Sequence, residues 1–350
     1  MNGYERTKCV LNGGIPDRVP TMLHCFMSAI EEAGIDHKSY RESAQLISDS
    51  HIRYAEKYGL DGILIDVDTC VEADAIGVKV DYPDNAPARI RSGNGMSVDA
   101  IRKALDSRKL LESRRIEAIL ESVRLSRSRV GGELFIRGNC DQMGFSLVML
   151  AYGMTDFLMD LLDEDMEDDI LELIDRATDF HTELHRLMMQ AGADMTSFGD
   201  SSCGPDVISP TMYRKFAFPF HKKLSDTLKR ENIPSLIHIC GNLDLICEDI
   251  AKLGFTGVEL DYKTNIPRAA EILRGKSTVF GIIDPTGVFL LGSEDDVRHE
   301  TQRVLDAFSG RGVIPGAGCA LPSATPEKNI RAFVDTVKAY PLGVIGDGSF

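Results

Sequence analysis

The segment Ile237–His238–Ile239–Cys240–Gly241 sets an imidazole and a thiol two residues apart. On a strand, residues at that spacing point to one side, so His238 and Cys240 would face one cleft. Glu259 and Asp261 repeat the spacing further along. Cys319 follows the small-residue run Gly316–Ala317–Gly318, where backbone and ligand can approach closely. One nitrogen and two sulfurs converging on a point make the three-ligand set of an open zinc site, whose fourth position stays exchangeable. Thiolates argue against magnesium or calcium, which take oxygen ligands. Glu259 or Asp261 would fill the fourth position until substrate arrives. The bland alternative is that cysteines near strand ends are buried and inert, since a dispersed set lacks the tight spacing of a zinc finger.

The same tension runs through the other candidates. Asp66 and Asp68 form a further period-two pair: Asp68 reads as a site carboxylate, Asp66 as a structural partner. Cys9, Cys70 and Cys247 read as packing residues. His24, Cys25, Cys140 and Cys203 fall near strand ends and stay open. His181 and His185 stand i, i+4 on a charged helix, which reads as a solvated face.

Convergence requires elements that deliver these residues to one place. Apolar β-type runs recur at Arg18–Cys25, Gly62–Asp68, Glu133–Gly138, Asp194–Gly199, Ser235–Cys240, Thr256–Tyr262, Ser277–Ile283 and Gly312–Gly316, with helical patterns between them. Several are near-continuous hydrophobic runs, as in strands covered on both faces of a parallel sheet. Gly59, Gly192 and Asn232 supply helix stops. Eight strand–helix units predict a closed α/β barrel, a (β/α)8 TIM barrel, rather than an open dinucleotide-binding sheet, because no GxGxxG follows the first strand. A single barrel also accommodates 350 residues. The expected organisation is one domain over 1–350 with an insertion about 71–96 after the second strand. In such a barrel the chemistry sits at the C-terminal ends of the strands. There fall His24, Asn139, Asp200 and Asp284 beside the residues already named, and Phe198 or Phe26 would flank a dry pocket.

The formal charge of −15 (54 acidic against 39 basic residues) and the lack of a Lys/Arg run disfavour nucleic acid and anionic membranes as partners. Eight cysteines in 350 residues are too sparse for a disulfide scaffold. The charged N-terminus and the absence of a long apolar run predict a cytoplasmic chain with reduced thiols.

Over nearly its whole length the chain resembles the uroporphyrinogen decarboxylase superfamily. The matching stretches are Asn12–Pro20, Tyr58–Gly62, Gly192–Asp194, Ile208–Pro210, His238–Asn242 and Gly281–Pro285. Within it, departures choose the branch. The decarboxylases carry an arginine-bearing segment after the first strand, whereas Thr21–Ile30 here holds none. Aligned through Pro322 and Pro326–Glu327, their site histidine falls at Gly318 and the following glycine at Cys319. Asp68 does match their site aspartate. A tetrapyrrole bearing many carboxylates needs cations, and this mouth offers acids and thiols. The H-x-C pattern with a cysteine in the last strand resembles that of the zinc-dependent corrinoid methyltransferases.

That resemblance implies zinc on His238, Cys240 and Cys319 and a site role for Asp68; the strand-end spacing of Glu259 and Asp261 makes the first a candidate further ligand and the second a candidate catalytic carboxylate. His24, Asn139, Phe198, Asp200 and Asp284 would hold substrate. Methyl would pass between a small methylated substrate, such as a methoxylated aromatic, and the cobalt of a corrinoid (cobalamin) carried by a partner protein. The alternatives are transfer to a thiol acceptor, as in a methylcobamide:coenzyme M enzyme; a cofactor-free decarboxylating lyase; and a binding barrel with a structural zinc. Homo-oligomerisation is compatible with the sequence.

Overall fold

The apolar runs become the strands of one parallel sheet. In the computed structural model, which describes residues 1–93, 95–106 and 108–342, nine strands are present. They are β1 (Gly62–Ile65), β2 (Val80–Asp81), β3 (Arg89–Ile90), β4 (Phe135–Gln142), β5 (Met195–Gly199), β6 (Ser235–Ile239), β7 (Gly257–Leu260), β8 (Thr278–Ile283) and β9 (Val313–Ala317). Seven of them form the sheet in the order β1-β4-β5-β6-β7-β8-β9, and every pairing is parallel. This is the barrel architecture with helices outside. Residue 94 of the expected insertion and residues 343–350 of the expected domain lie outside the described residues.

The first expected strand, Arg18–Cys25, is corrected. It forms no ladder. It nonetheless closes the gap between β9 and β1: the His24 carbonyl accepts from Leu321 N at 2.7 Å and the Thr21 carbonyl from Asp61 N at 2.8 Å. Its own donors are diverted. Pro20 has no N–H, and Thr21 N donates to the Asp61 carboxylate at 2.8 Å. Asp61 also takes Arg6 and Arg18, so the N-terminal segment is pinned by side chains rather than by sheet hydrogen bonds.

The excursion after β1 runs further than expected. A helix (Val71–Ala75), the antiparallel β2–β3 pair and helices Val98–Ala104 and Arg108–Glu112 all precede the helix Arg114–Val130.

Hydrophobic residues divide into an outer and an inner core. The large outer cluster joins strands to helices such as Ala44–Tyr58, Glu167–Ala191 and Glu294–Phe308. The inner one gathers Val10, Met22, Phe135, Met195, Leu236, Phe280 and Ile314 at the N-terminal end of the lumen. Each fully buried side chain of this kind contributes roughly 1.5–3 kcal/mol before conformational entropy is set against it. The helices end where the sequence provides left-handed residues: Gly59 at φ +65, Gly192 at +108 and Asn232 at +55.

One expectation about the helices is overturned. His181 and His185 are both 0% exposed. The helix Glu167–Ala191 is amphipathic, and these histidines lie on its inner face against β5. There they form a chain: Glu72 Oε2 to His181 Nδ1 at 2.8 Å, His181 Nε2 to His185 Nε2 at 3.1 Å, and His185 Nδ1 to Thr196 Oγ1 at 2.7 Å. Burial pushes His181 down to about 3, so it is neutral. Among the described residues no helix is long and apolar enough to cross a membrane.

Candidate metal centre

Alternation along the strands decides which side chains enter the lumen. Leu236 belongs to the inner core, so His238, two residues on, points inward as well. The register sets Gly199 opposite His238 and His238 opposite Glu259. On β4 the inward positions are Phe135, Arg137 and Asn139. A polar layer therefore rests on the apolar floor, with the Arg137 guanidinium 5.5 Å from the Phe280 ring centroid.

At the top of that layer the structure brings His238, Cys240 and Cys319 together, their ligating atoms all within 4.8 Å of one another. His238 Nε2 lies 3.3 Å from Cys240 Sγ, and Cys319 Sγ lies within 4.8 Å of both. The other ring nitrogen, Nδ1, is 3.1 Å from the Glu259 carbonyl. Holding Nδ1 on a carbonyl sets the tautomer that frees Nε2 for a metal. His238 is 8% exposed and both cysteines are partly exposed, so the group opens to the mouth. The donor set fits zinc: with Zn–S near 2.3 Å and Zn–N near 2.0 Å, tetrahedral ligand atoms stand roughly 3.5–4 Å apart. Gly241 turns the chain sharply after Cys240 with φ +91.

The electrostatics favour charge separation even without an ion. The Cys240 thiol is pushed down to about 3, first by the neighbouring Cys319 thiol and then, against burial, by His238. Cys319 is pushed up, chiefly by the Cys240 sulfur beside it and then by burial. Burial opposes a charged His238, but the Cys240 sulfur and Glu259 outweigh it and raise it to about 9.

Glu259 stands outside the trio. Its carboxylate bridges to Arg137 at 2.5 Å, and its Oε1 lies 3.8 Å from His24 Nδ1 and 3.7 Å from His238 Nδ1. Burial is overcome mainly by Arg137, which holds Glu259 well below the usual carboxylate range. It braces the His238 imidazole from behind and is not among the atoms that converge with the two sulfurs. Asp261 is also occupied: its oxygens accept from Gly241 N at 2.8 Å and Lys263 N at 3.1 Å, which shapes the loop after β6.

Asp66 and Asp68 have different partners. Asp66 faces the lumen, bound to His24 Nε2 at 2.6 Å and to Asn139 Nδ2 at 2.8 Å. Against the cost of burial, Asp66 and then Glu259 raise His24 to about 9. Asp68 pairs with Arg115 of the helix Arg114–Val130 and accepts from Cys70 N. His24 and Asn139 thus stand in the lumen as expected, with Phe26 buried beside His24 at 5.9 Å between ring centroids.

Phe198 and Asp200 do not face the cleft, and the reason is parity. Phe198 is level with Ile237, not His238, and packs outward among His181, His185, His221 and Phe255. Asp200 bonds His221 Nε2 at 2.8 Å and Ser146 N at 2.8 Å. Asp284 caps the turn at Pro285 by accepting from Thr286 and Gly287. Arg137 was missed, although a lone arginine in the inward register of an apolar strand signals a buried ion pair. Glu72 and Asp141, both pushed well above the carboxylate range by burial, carry no comparable local signal. Two open depressions lie elsewhere: one of about 900 Å³ beside Met96 and Tyr152, and one of about 840 Å³ at the closed end beside Lys8 and Lys229.

Residues 3–340 match the family model described as uroporphyrinogen decarboxylase (URO-D). A methylcobamide:CoM methyltransferase of Methanosarcina mazei is 26% identical over 336 residues, covering 93% of this chain and 94% of its own. A uroporphyrinogen decarboxylase of Syntrophotalea carbinolica is 26% identical over 303 residues, covering 85% and 84%. A solved methyltransferase from Methanosarcina mazei superposes with a TM-score of 0.87 at 21% identity, over 96% of this chain and 98% of that one.

Proposed function

The chain belongs to the uroporphyrinogen decarboxylase family, and from that premise we propose that it is a zinc- and corrinoid-dependent methyltransferase. The observation that carries this reading is the nitrogen–sulfur–sulfur trio within 4.8 Å at an open barrel mouth. When bound there, zinc would act as a Lewis acid, holding a thiol as its thiolate or withdrawing charge from a leaving heteroatom.

The chain's own residues do the rest. His238 aims Nε2 at the ion because Nδ1 is held on the Glu259 carbonyl. Two cysteine sulfurs would neutralise a divalent charge and, with His238, would leave a fourth position for substrate. Arg137, Glu259, Asp66 and His24 form a buried ladder of alternating charge that fixes the imidazole and costs no reorganisation during transfer. The apolar floor excludes water from below.

A methyl group would pass between a small molecule in the mouth and the cobalt of a corrinoid protein docked over it. The names of the relatives favour a thiol such as coenzyme M as acceptor, and demethylation of a methoxylated aromatic is the competing direction. The test is metal analysis followed by transfer assays with methylcobalamin plus 2-mercaptoethanesulfonate, and with cobalt(I) cobalamin plus methoxylated aromatics. About one zinc per chain with methyl transfer in either assay is expected. A metal-free protein that decarboxylates a tetrapyrrole would overturn the reading.

A further inference from the structure

Cys319 is out of step with its own strand. On β9, Ile314 belongs to the inner core, so parity turns Gly316 and Gly318 to the lumen and residue 319 away from it. Its sulfur nonetheless lies with His238 and Cys240, because the chain leaves β9 at Ala317 and bends through Gly318. Main-chain hydrogen bonds fix that bend at both ends: Gly318 N donates to the Ile283 carbonyl at 2.8 Å and Leu321 N to the His24 carbonyl at 2.7 Å. At its start the backbone of Gly318 lies directly on the end of β7. A Cβ there would come within 2.8 Å of Tyr262 N and 2.9 Å of the Leu260 carbonyl oxygen. Gly318 is not among the residues with positive φ, so this glycine answers a close approach of backbones and not a left-handed turn. β8 is distorted to meet the same place. Gly281 has φ +82 and Ile282 φ +88, and a β-branched residue stays in the left-handed region only where its surroundings enforce it. A Cβ on Gly281 would sit 3.0 Å from the Leu260 and Ala317 carbonyl oxygens alike.

We propose that Gly318 is a positioning residue: its lack of a side chain lets the chain bend onto the end of β7 and swings the Cys319 sulfur into the metal centre. The inference rests on reading the trio as a zinc centre. One methyl group is enough to matter. An alanine at 318 has to retreat by roughly half an ångström to reach ordinary contact distances. Leu260 is paired with both β6 and β8, so it does not give way. A zinc site tolerates only about 0.2 Å in its bond lengths. The fit of three backbones, rather than the ion, therefore fixes where the third sulfur stands.

The test compares the native chain with Gly318→Ala and Gly316→Ala. Gly316 is the matched control, since a Cβ there would also meet backbone, the Met22 carbonyl oxygen at 2.9 Å, but outside the bend. Metal-free forms are titrated with zinc and with cobalt(II), and the sulfur-to-cobalt charge-transfer absorption is recorded. Gly318→Ala should bind zinc on the order of a hundredfold more weakly. It should keep about half of the charge-transfer intensity, since one of two sulfurs is lost. Gly316→Ala should match the native chain in both. Native affinity and intensity in Gly318→Ala overturn the positioning role and leave the zinc reading standing. An equal loss in both alanine variants overturns it as well, because strain anywhere at the strand end would then suffice. Should Gly318→Ala fail to fold, hydrogen exchange on the native chain decides. The Gly318 and Leu321 amides should be as protected without metal as with zinc. Free exchange until zinc is added would mean that the ion builds the bend, and the proposal falls. A native chain that binds neither metal overturns the zinc reading and the proposal together.

Discussion

Among the described residues two groups of three bring histidine, cysteine or aspartate ligand atoms within 4.8 Å of one another: His238–Cys240–Cys319 and Asp200–Cys203–His221. In the second, every donor is spoken for. Asp200 holds Ser146 N and His221 Nε2, His221 Nδ1 lies 3.2 Å from the Tyr213 hydroxyl, and Cys203 Sγ donates to the Asp200 carbonyl at 3.0 Å. Asp200, Cys203 and His221 are at most 1% exposed, and burial pushes the Cys203 thiol well up. In the first, the cysteines reach solvent and one imidazole nitrogen has only sulfur before it. Convergence of ligand types is therefore not the property that makes a metal site. Unspent donor capacity at an accessible place is.

The comparison can be broken most directly by removing sulfur from each group. Cys240→Ala or Cys319→Ala should reduce zinc from about one per chain to near zero. Methyl transfer should fall by more than about a hundredfold, beyond what loss of a supporting hydrogen bond costs. Cys203→Ala should keep both. Transfer that survives in a zinc-free Cys240→Ala protein would sink the mechanism. Next in size is His221→Ala, which strands the Asp200 carboxylate in the core. About 3–5 kcal/mol of stability should be lost in denaturant titrations, with zinc per folded chain unchanged; a loss of zinc instead would make the two groups one functional unit.

A third contrast concerns His24, whose charged form the fold favours. Raised from 6.5 to about 9, it contributes stability that is complete below the lower value and lost as pH climbs through the upper one. His24→Gln should flatten the decline of melting temperature over that window, and parallel profiles would remove the His24–Asp66 pair from the account. The smallest effect is expected at Asp284, a turn cap. Asp284→Ala should cost about 1 kcal/mol and leave transfer untouched, whereas a selective loss of substrate affinity would return it to the pocket.

Much of this was legible in the residues. Apolar runs and helix stops located seven strands, since burial on both faces leaves a strong trace. His238 and Cys240 declared their shared face by spacing. Cys319 could be joined to them only through a barrel that brings distant strand ends together. What failed was parity and pairing. Phe198 and Asp200 lie one residue out of step with the inward set, which only the register against β6 reveals. His181 and His185 looked solvated because their helix is charged, but that charge lies on its other face. Asp61 diverting the donors of Thr21 is a tertiary event with no local mark.

The hydrophobic floor of Phe135, Met195, Leu236, Phe280 and Ile314 has a kinetic corollary. A vessel stoppered below has one doorway, and two visitors of unequal size must share it. In the proposed transfer the small molecule would have to be seated before a corrinoid carrier covers the entrance, and its product would leave only after the carrier departs. Steady-state rates should then show compulsory order, with the carrier trapping whatever lies beneath it.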